Sequence, residues 1–393
     1  MNSNNSQFIS RRSLAVEWSG IRTISAKISK MGNGAISLAV GQPDFDTPQH
    51  IREAAKAALD QGYTRYPPSK GFEDLRQAIA RKLKTKNNIQ ADPDSEIFIS
   101  VGAMQSIFNA ILVLVHPGDE VIVLDPGFIY NSQIRLFGGV PVPIFAQEKN
   151  RFKIDPKDIR KAVTPKTRLI ILNTPSNPTG AVFDRDILVE IADIARHFGI
   201  FILSDEAYED IVFDGKHVSI ASLDGMKDLT VSVFTFSKTY AMTGWRVGYV
   251  AARSEVIDEM EKLMEHMCSG VTAVSQRAAL AALQGPQDSV SEMVKEYKAR
   301  RQLVGELLDD IEGLSFCIPE GTFYIYVNIA GTKRKSWELA DYLVRNQKVG
   351  TVPGNAFSQN GADHIRLSFA ADKEKLIEGL SRIGKGIEAI MRI

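Results

Sequence analysis

The chain has 393 residues, of which 44% are hydrophobic and 24% charged; this balance excludes disordered and coiled-coil classes. The length predicts two domains or three. Lysine plus arginine and aspartate plus glutamate both number 47, so the formal net charge is zero. A neutral chain has no bulk attraction for nucleic acid or an anionic membrane, and no apolar run reaches the roughly 18 residues of a membrane helix, so we expect neither partner.

Short runs rich in β-branched residues alternate along the chain with longer segments of helical periodicity. Strands that are apolar throughout are typical of a sheet covered on both faces. Their alternation with helices predicts an α/β fold, with a three-layer α/β/α large domain and a mostly parallel sheet. Strands are predicted at 97–101, 120–124, 169–172, 200–203, 231–236 and 245–252, and helices at 105–115, around 129–137 and at 186–197.

The pattern changes after about residue 285, where Gln284-Gly285-Pro286 ends a helical stretch. A charged amphipathic helix is predicted at 289–310, followed by short strands at 321–328, near 348–352 and at 365–369. This is the pattern of a smaller α+β domain. We predict an N-terminal arm and part of the small domain at 1–48, the large domain at 49–285 and the rest of the small domain at 286–393.

The cysteines and the amino terminus indicate the compartment. Cys268 and Cys317 are far apart and not in metal-ligand spacing, which favours a reducing environment over a disulfide framework. Residues 1–10 are polar, and no long apolar stretch follows Arg11-Arg12, so an export signal is not indicated. We expect a cytoplasmic protein whose first residues form a flexible or exchanging arm.

Charged and polar side chains follow the predicted strands, at the sheet edge where open α/β sheets bind ligands. Gly102, Ala103 and Met104 open a helix after strand 97–101, and such a helix end attracts anions. Together these groups suit a phosphorylated aromatic cofactor with a protonatable ring nitrogen and an aldehyde, which describes pyridoxal 5'-phosphate. The residues that follow the other strands are Asn177, Asp205, Tyr208, Ser237 and Lys238, and Arg246 is eight residues after Lys238.

The segment from Thr235 to Gly248, TFSKTYAMTGWRVG, resembles the cofactor-lysine motif of class I/II aminotransferases of fold type I, the aspartate aminotransferase-like family. Further segments match the same family in the same order, so the resemblance covers nearly the whole chain. It implies a pyridoxal-phosphate-dependent aminotransferase that moves an amino group from an L-amino acid to a 2-oxo acid by a ping-pong mechanism. These segments are GQPDFD at 41–46, 66–71, 173–180, 204–208 and IRLSF at 365–369.

The resemblance implies roles for four residues around the cofactor ring. Lys238 matches the lysine that forms a Schiff base and later carries the proton. Asp205 matches the carboxylate that keeps the pyridine nitrogen protonated. Tyr208 and Asn177 match the pair that hydrogen-bonds the cofactor's phenolic oxygen.

The phosphate site is implied in the same way. Arg246 matches the arginine that pairs with the phosphate, and Gly102, Ala103 and Met104 match the backbone that cradles it. Tyr66 matches a tyrosine that reaches the cofactor of the partner subunit, which implies a homodimer with shared active sites. Thr235 and Ser237 match two positions at which the family supplies hydroxyls. Serine or glycine is usual at the position of Thr235.

A further cofactor contact and the substrate site are implied in the same way. Phe128 stands where relatives stack an aromatic ring on the cofactor. Arg366 matches the arginine that binds the substrate's α-carboxylate, a clamp that Asn177 and the Gly41 backbone complete. Donor selection is expected to depend on 19–23, on Phe128 and on 271–275, and no second arginine that marks a dicarboxylate site is identified.

Two alternatives stay open at this point. A pyridoxal-phosphate-dependent C–S β-lyase shares Lys238, Asp205 and Arg366 and differs in how the substrate side chain is placed. A non-catalytic effector-binding protein of the same fold is the other alternative, but the whole catalytic set is present. The six histidines form no metal motif, so no metal is expected, and G-x-G-x-x-G is absent after the first strand.

Overall fold

A computed structural model describes residues 8–14, 16 and 18–392, so most of the arm predicted at 1–10 lies outside the described residues. None of the helices in this part of the chain is long and apolar enough to cross a membrane. The strands are β1 Ile36–Ser37, β2 Ile97–Ser100, β3 Glu120–Asp125, β4 Val140–Phe145, β5 Thr167–Asn173, β6 Phe201–Asp205, β7 Thr230–Thr235, β8 Gly248–Ala251, β9 Ser315–Phe316, β10 Tyr324–Asn328, β11 Val349–Gly350, β12 Val352–Pro353 and β13 His364–Ser368.

Helices follow β2, β3 and β5, where the alternating pattern predicts them. Two other helices continue into π-helical turns, at Leu83–Asn87 and Leu343–Gln347. The α-helices are α1 Arg11–Leu14, α2 Gly20–Ser29, α3 Gln49–Asp60, α4 Glu73–Lys82, α5 Ala103–Leu114, α6 Tyr130–Leu136, α7 Pro156–Ala162, α8 Arg185–Phe198, α9 Phe236–Thr239, α10 Ser254–Met267, α11 Ala273–Gln284, α12 Asp288–Asp309, α13 Ser336–Tyr342 and α14 Lys373–Met391.

Seven of the described strands form the large sheet, in the order β2-β8-β7-β6-β5-β3-β4. The pairs from β7 through β6, β5 and β3 to β4 are parallel, whereas β8 is antiparallel to both β7 and β2. The predicted α/β fold with a mostly parallel sheet is therefore confirmed. Because β8 runs in the opposite direction, its first residue lies at the edge where its neighbours end.

Both faces of this sheet are covered. Val121 and Ile122 are neighbours on β3, yet Val121 packs in the core that contains α5 and α10, and Ile122 in the core that contains α8. Successive side chains of a strand point to opposite faces, so the two cores lie on opposite sides of the sheet. This arrangement gives the three layers and explains the almost continuous apolar runs of the strands.

Within the large sheet, the prediction from sequence was wrong at two strands. β4 was not predicted because Pro141 and Pro143 interrupt its sequence; prolines are tolerated there because β4 is an edge strand with only β3 beside it. The strand predicted at 245–252 begins only at Gly248. Thr243–Trp245 forms a 3₁₀ turn and Arg246 has a positive φ of 53°, so the extended backbone starts later.

A smaller antiparallel sheet, in the order β12-β13-β10-β9, packs with α12 and α14 in a third core. The parallel pair of β1 and β11 joins residues before Gly41 to these C-terminal elements. Arg366 and Tyr326 are paired in the register of β13 and β10. The domain limits at residues 48 and 285 stay a prediction.

Candidate active site

A cavity opens at the sheet edge formed by the ends of β5, β6 and β7 and the start of β8. Parallel strands bring the residues after their carboxyl ends to one place, and the reversed β8 adds the residues that precede it. The predicted residues that line this cavity are Gly41, Ala103, Met104, Phe128, Asn177, Asp205, Tyr208, Thr235, Ser237, Lys238, Arg246 and Arg366.

Two predicted residues lie outside that lining. Gly102 is next to it and contacts Arg246, as described below. Tyr66 is 89% exposed and takes no part in the cavity within this chain. The prediction that Tyr66 serves a partner's site is compatible with an exposed ring.

Lys238 lies on α9, immediately after β7. The Thr235 side chain caps this short helix by accepting a hydrogen bond from the Ser237 N–H at 3.2 Å. Lys238 Nζ donates to the Gly41 carbonyl at 2.6 Å. The residue is partly accessible through the cavity, but its amino group is desolvated, and this lowers the pKa of Lys238 to about 8 with help from the positive charge of Arg366. The amine is thus substantially neutral near pH 8.

Asp205 is the last residue of β6 and is buried. Its Oδ2 accepts a hydrogen bond from Tyr130 Oη at 2.7 Å, and its Oδ1 accepts one from the Ala207 N–H at 3.2 Å. Burial raises the pKa of Asp205 to about 6, and the hydrogen bond from Tyr130 opposes that rise. A buried carboxylate of this kind is a strong partner for a cationic ring nitrogen.

Asn177 and Asn173 connect Asp205 to Arg366. Asn173 Nδ2 donates to the Asp205 carbonyl at 3.1 Å, and its Oδ1 accepts from the Asn177 N–H at 2.8 Å. The Asn177 side chain in turn accepts from Arg366 Nη1 at 2.9 Å. These hydrogen bonds tie the turn after β5 to both Asp205 and Arg366, and the rigidity expected from its prolines stays a prediction. Asn173 lies in the segment 173–180 that matches the family, but no role was predicted for it.

Arg366, on β13, is fully buried. Its Nη2 donates to the Ala39 carbonyl at 2.6 Å, while Nε is buried without a partner in the structure. The backbone carbonyl that accepts from Arg366 is thus that of Ala39, whereas the Gly41 carbonyl accepts from Lys238. A buried guanidinium with no carboxylate beside it among the hydrogen bonds of the described chain suits an incoming carboxylate.

The anion site lies at the start of α5. Gly102 has φ of +73°, and a Cβ on it would be 2.7 Å from Arg246 Nη2. Glycine is therefore required for the guanidinium to approach the helix end. Arg246 Nη1 donates to the Thr243 carbonyl at 2.9 Å, and Thr235 Oγ1 donates to Ser237 Oγ at 2.9 Å. Helix N–H groups, hydroxyls and a guanidinium are the donors that a phosphate needs.

Four aromatic residues line the cavity or contact its lining. Phe128 lines the cavity, with its ring centroid 6.1 Å from that of Tyr130. Tyr208 shares a 2.9 Å hydrogen bond with Tyr324 Oη. Tyr130 and Tyr324 were both missed from the sequence, because they come from α6 and β10 and reach the site only through tertiary packing.

An acidic cluster next to Asp205 in the chain is explained by ion pairs and hydrogen bonds. Glu206, Glu209 and His217 bring ligand atoms within 4.8 Å of one another. Lys82 pairs with Glu209, and His217 Nε2 lies 2.7 Å from Glu206 Oε2. Because Lys82 already supplies the positive charge, we do not assign a metal to this cluster.

The residues present fit pyridoxal 5'-phosphate at each of its functional groups. A neutral amine near pH 8 suits an aldehyde, a buried carboxylate suits a ring nitrogen, and the glycine cradle beside Arg246 suits a phosphate. The unpaired Nε of Arg366 provides a further donor for a substrate carboxylate. The donor set therefore matches both cofactor and amino acid.

Comparisons with known proteins agree with this geometry. The family model of aminotransferase class I and II matches residues 33–383. An aspartate aminotransferase of Pyrococcus abyssi is 44% identical over 354 residues, 89% of this chain and 91% of that protein. An aromatic-amino-acid aminotransferase of Thermococcus litoralis is 44% identical over 90% of this chain and 91% of its own length.

Solved structures show the same relationship. The aspartate aminotransferase of Thermus thermophilus with maleate superposes with a TM-score of 0.92 at 34% identity, covering 96% of this chain and 99% of that one. An aromatic aminotransferase of Pyrococcus horikoshii has a TM-score of 0.88 at 41% identity, with 93% and 99% covered. These relatives are named for transamination, which favours it over the C–S β-lyase alternative. The chain therefore belongs to the class I and II aminotransferase family of fold type I, and it is a pyridoxal-phosphate-dependent aminotransferase.

Proposed function

We propose that Lys238 is the residue that bonds covalently to the cofactor and then carries the proton during transamination. The observation that carries this proposal is the desolvated amine of Lys238 in one cavity with Asp205 and Arg366. When bound, the cofactor supplies an aldehyde that takes the amino group and a ring that withdraws electrons from Cα. A pKa of about 8 leaves a useful fraction of Lys238 Nζ neutral, so this atom is the base that takes the substrate's α-proton.

Asp205 and Tyr208 act on the ring. Asp205, held by Tyr130, is the anion that keeps the ring nitrogen protonated. Tyr208 donates from its hydroxyl to the phenolic oxygen, and the Asn177 amide lines the same cavity. Each of these groups is fixed by hydrogen bonds within the chain, so little reorganisation is needed when charge develops on the ring.

Arg246 and the start of α5 hold the phosphate. The backbone N–H groups of Ala103 and Met104 are free at the helix end, because no preceding turn accepts them. Thr235 and Ser237 add hydroxyls beside Arg246. This end of the cavity anchors the cofactor, so Lys238 is left to react without also supplying binding energy.

Arg366 orients the amino acid. Its fork binds the α-carboxylate, with Asn177 and the backbone near Gly41 around it. A fixed carboxylate holds the Cα–H bond toward Lys238 and so selects deprotonation over decarboxylation. Orientation of this kind is worth several powers of ten in rate.

We further propose that the preferred amino donor has an apolar or aromatic side chain. The relatives are named both aspartate and aromatic aminotransferases, so relatedness does not choose between these donors. Ile21, Val40 and Phe128 line the cavity and form an apolar wall. An apolar wall stabilises an apolar side chain by burial and leaves a distal carboxylate desolvated.

This apolar wall lies on the Arg366 side of the cavity. Val40 directly follows Ala39, whose carbonyl binds Arg366. Ile21 and Phe128 pack on the core that contains Phe357, and the Phe357 ring lies 4.8 Å from the Arg366 guanidinium carbon. A side chain carried by an amino acid at Arg366 therefore meets this wall.

We also propose a homodimer with shared active sites in the cytoplasm. An exposed Tyr66 supports the dimer, because a ring that is 89% accessible in one chain is available to a second. Cys268 and Cys317 are both free, which supports a reducing compartment.

The covalent role is tested by borohydride reduction. The purified protein is incubated with pyridoxal 5'-phosphate, reduced and digested, and the modified peptide is mapped. We expect one pyridoxyl adduct, on Lys238, and no turnover in Lys238→Ala. An adduct on another lysine with wild-type activity in Lys238→Ala would overturn the assignment.

The donor class is tested with phenylalanine, leucine and aspartate against 2-oxoglutarate and pyruvate. We expect kcat/KM for phenylalanine or leucine to exceed that for aspartate, and Ile21→Lys to reverse this order. A wild-type preference for aspartate would contradict the donor class and leave the transaminase assignment intact. Ile377→Lys, a matched change at an exposed isoleucine of α14, is the control.

A further inference from the structure

Tyr324 is a buried residue of β10 that lines the cavity and has no role so far. Its hydroxyl lies 2.9 Å from the hydroxyl of Tyr208, which lines the same cavity. Its ring covers the Arg366 guanidinium, whose carbon is 4.1 Å from the ring centroid. One side chain therefore contacts both the residue proposed to bind the cofactor oxygen and the residue proposed to bind the substrate.

The backbone at Gly41 is shaped to admit this side chain. A Cβ on Gly41 would be 1.8 Å from Tyr324 Oη, so any other residue would displace the hydroxyl or the backbone. The carbonyl of the same glycine accepts from Lys238 Nζ. Tyr324 thus also packs against the segment that holds the reactive lysine.

The direction of the hydrogen bond follows from counting protons. A tyrosine hydroxyl has one proton to donate. If Tyr208 gives its proton to the cofactor's phenolic oxygen, the proton shared with Tyr324 must come from Tyr324. A donor that itself accepts a hydrogen bond is polarised and becomes a stronger donor.

We propose that Tyr324 is a positioning residue of the reaction, with two separable functions, and this proposal rests on the roles proposed for Tyr208 and Arg366. Its hydroxyl strengthens Tyr208 as a donor to the cofactor. Its ring holds the Arg366 guanidinium flat against one face by a cation–π contact. The small sheet that contains β10 and β13 thereby supports both the cofactor and the substrate ends of the site.

Tyr324→Phe tests the hydroxyl alone. The absorbance of the bound cofactor is titrated with pH in wild type and variant. Loss of one neutral hydrogen bond weakens stabilisation of the negative oxygen, so the midpoint should rise by roughly 0.5 pH unit. The ring is retained over Arg366, so KM for the amino donor should stay within about twofold of wild type.

Tyr324→Leu tests the ring. It removes both the hydroxyl and the aromatic face, so the midpoint should rise as in Tyr324→Phe and KM should rise by roughly fivefold or more. An equal KM increase in Tyr324→Phe would overturn the role of the ring. If the leucine variant does not fold, the titration of Tyr324→Phe still decides the role of the hydroxyl, and an unmoved midpoint would reject it.

Tyr326→Phe is the matched control. Tyr326 is a buried tyrosine two residues away on the same strand, its hydroxyl bonds the Gly354 carbonyl at 3.5 Å, and it does not line the cavity. Its midpoint and KM should equal those of wild type. A wild type that acquires no cofactor absorbance would count against the proposed function, whereas a wild-type transition that Tyr324→Phe leaves unmoved counts only against Tyr324.

Discussion

Tyr130 Oη donates a 2.7 Å hydrogen bond to Asp205 Oδ2, and both residues are buried. The two come from separate elements: Tyr130 is the first residue of α6 and Asp205 the last of β6. A buried carboxylate without such donors would become protonated at a pH well above its usual pKa. Tyr130 thus keeps Asp205 closer to the ionised form that the ring nitrogen requires.

Removing this donor should move the acid limb of the pH profile. In Tyr130→Phe the pKa of Asp205, already raised to about 6 by burial, rises further because an opposing hydrogen bond is lost. The carboxylate is then protonated at higher pH, so the acid limb of kcat/KM should shift upward by about one unit.

The measurement is a kcat/KM profile from pH 5 to 9. Tyr249→Phe, a buried tyrosine of β8 outside the cavity lining, is the control and should show the wild-type limb. An acid limb in Tyr130→Phe that coincides with wild type would contradict the role of Tyr130.

The lowered pKa of Lys238 predicts how the rate of cofactor attachment depends on pH. Its pKa is lowered to about 8, so the ammonium prevails below that pH and the reactive neutral amine above it. The rate constant for attachment to the cofactor-free protein should rise about tenfold per pH unit below 8 and then level off.

Stopped-flow absorbance of cofactor-free protein mixed with pyridoxal 5'-phosphate gives this profile. Lys86 also has its pKa lowered to about 8 but lies outside the cavity lining, so Lys86→Gln should leave the profile unchanged. A rate that continues to rise to pH 10 would mean that Lys238 has an ordinary pKa.

The positions of Lys238 and Asp205 were predictable because local rules fix them. Apolar runs identify strands, and the residue after a parallel strand faces the ligand edge, so Asp205, Lys238 and Gly102 were all expected at that edge. The orientation of β8 was not predictable from its own sequence. Its reversal is what places Arg246 beside Gly102.

Tyr130 and Tyr324 show where sequence reasoning ends. Tyr130 begins a helix after β3 and Tyr324 begins β10, but an aromatic residue in an apolar segment is indistinguishable from core. The hydroxyl of Tyr130 contacts Asp205, 75 residues away in the chain, and that of Tyr324 contacts Tyr208, 116 residues away. The same holds for the Ala39 carbonyl on Arg366, because backbone acceptors leave no mark in the sequence.

Gly102→Ala should weaken cofactor binding through Arg246. The added Cβ would be 2.7 Å from Arg246 Nη2, so the guanidinium must leave the helix end. Loss of a charge-assisted contact predicts an increase in Kd for the cofactor of roughly tenfold or more. Equilibrium dialysis of the cofactor-free protein measures this Kd.

A substitution at a second glycine distinguishes the effect of backbone strain from that of the contact with Arg246. Gly118 also has a positive φ, +91°, but a Cβ there would meet nothing within 4 Å. Gly118→Ala should therefore cost about 1 kcal/mol in stability and have no effect on the cofactor. Equal changes in Kd for the two variants would assign the effect to strain rather than to Arg246.

The exposure of Tyr66 leads us to predict that each active site is built from two chains. It is 89% exposed and outside the cavity of its own chain, so a role at the phosphate requires a second subunit. In a mixed dimer of Tyr66→Ala and Lys238→Ala chains, one site receives Lys238 from one chain and Tyr66 from the other, and the second site has neither. Random mixing of two such chains should restore up to about a quarter of wild-type activity.

The comparison is made by co-expressing the two variants and assaying the mixture beside each variant alone. Lys238→Ala alone should be inactive, and Tyr66→Ala alone should bind the cofactor weakly at every site. Complementation requires that Tyr66 act across the interface, because a tyrosine acting within its own chain would leave both sites of the mixed dimer damaged. A mixture no more active than the sum of its parts would therefore place Tyr66 outside the partner's site.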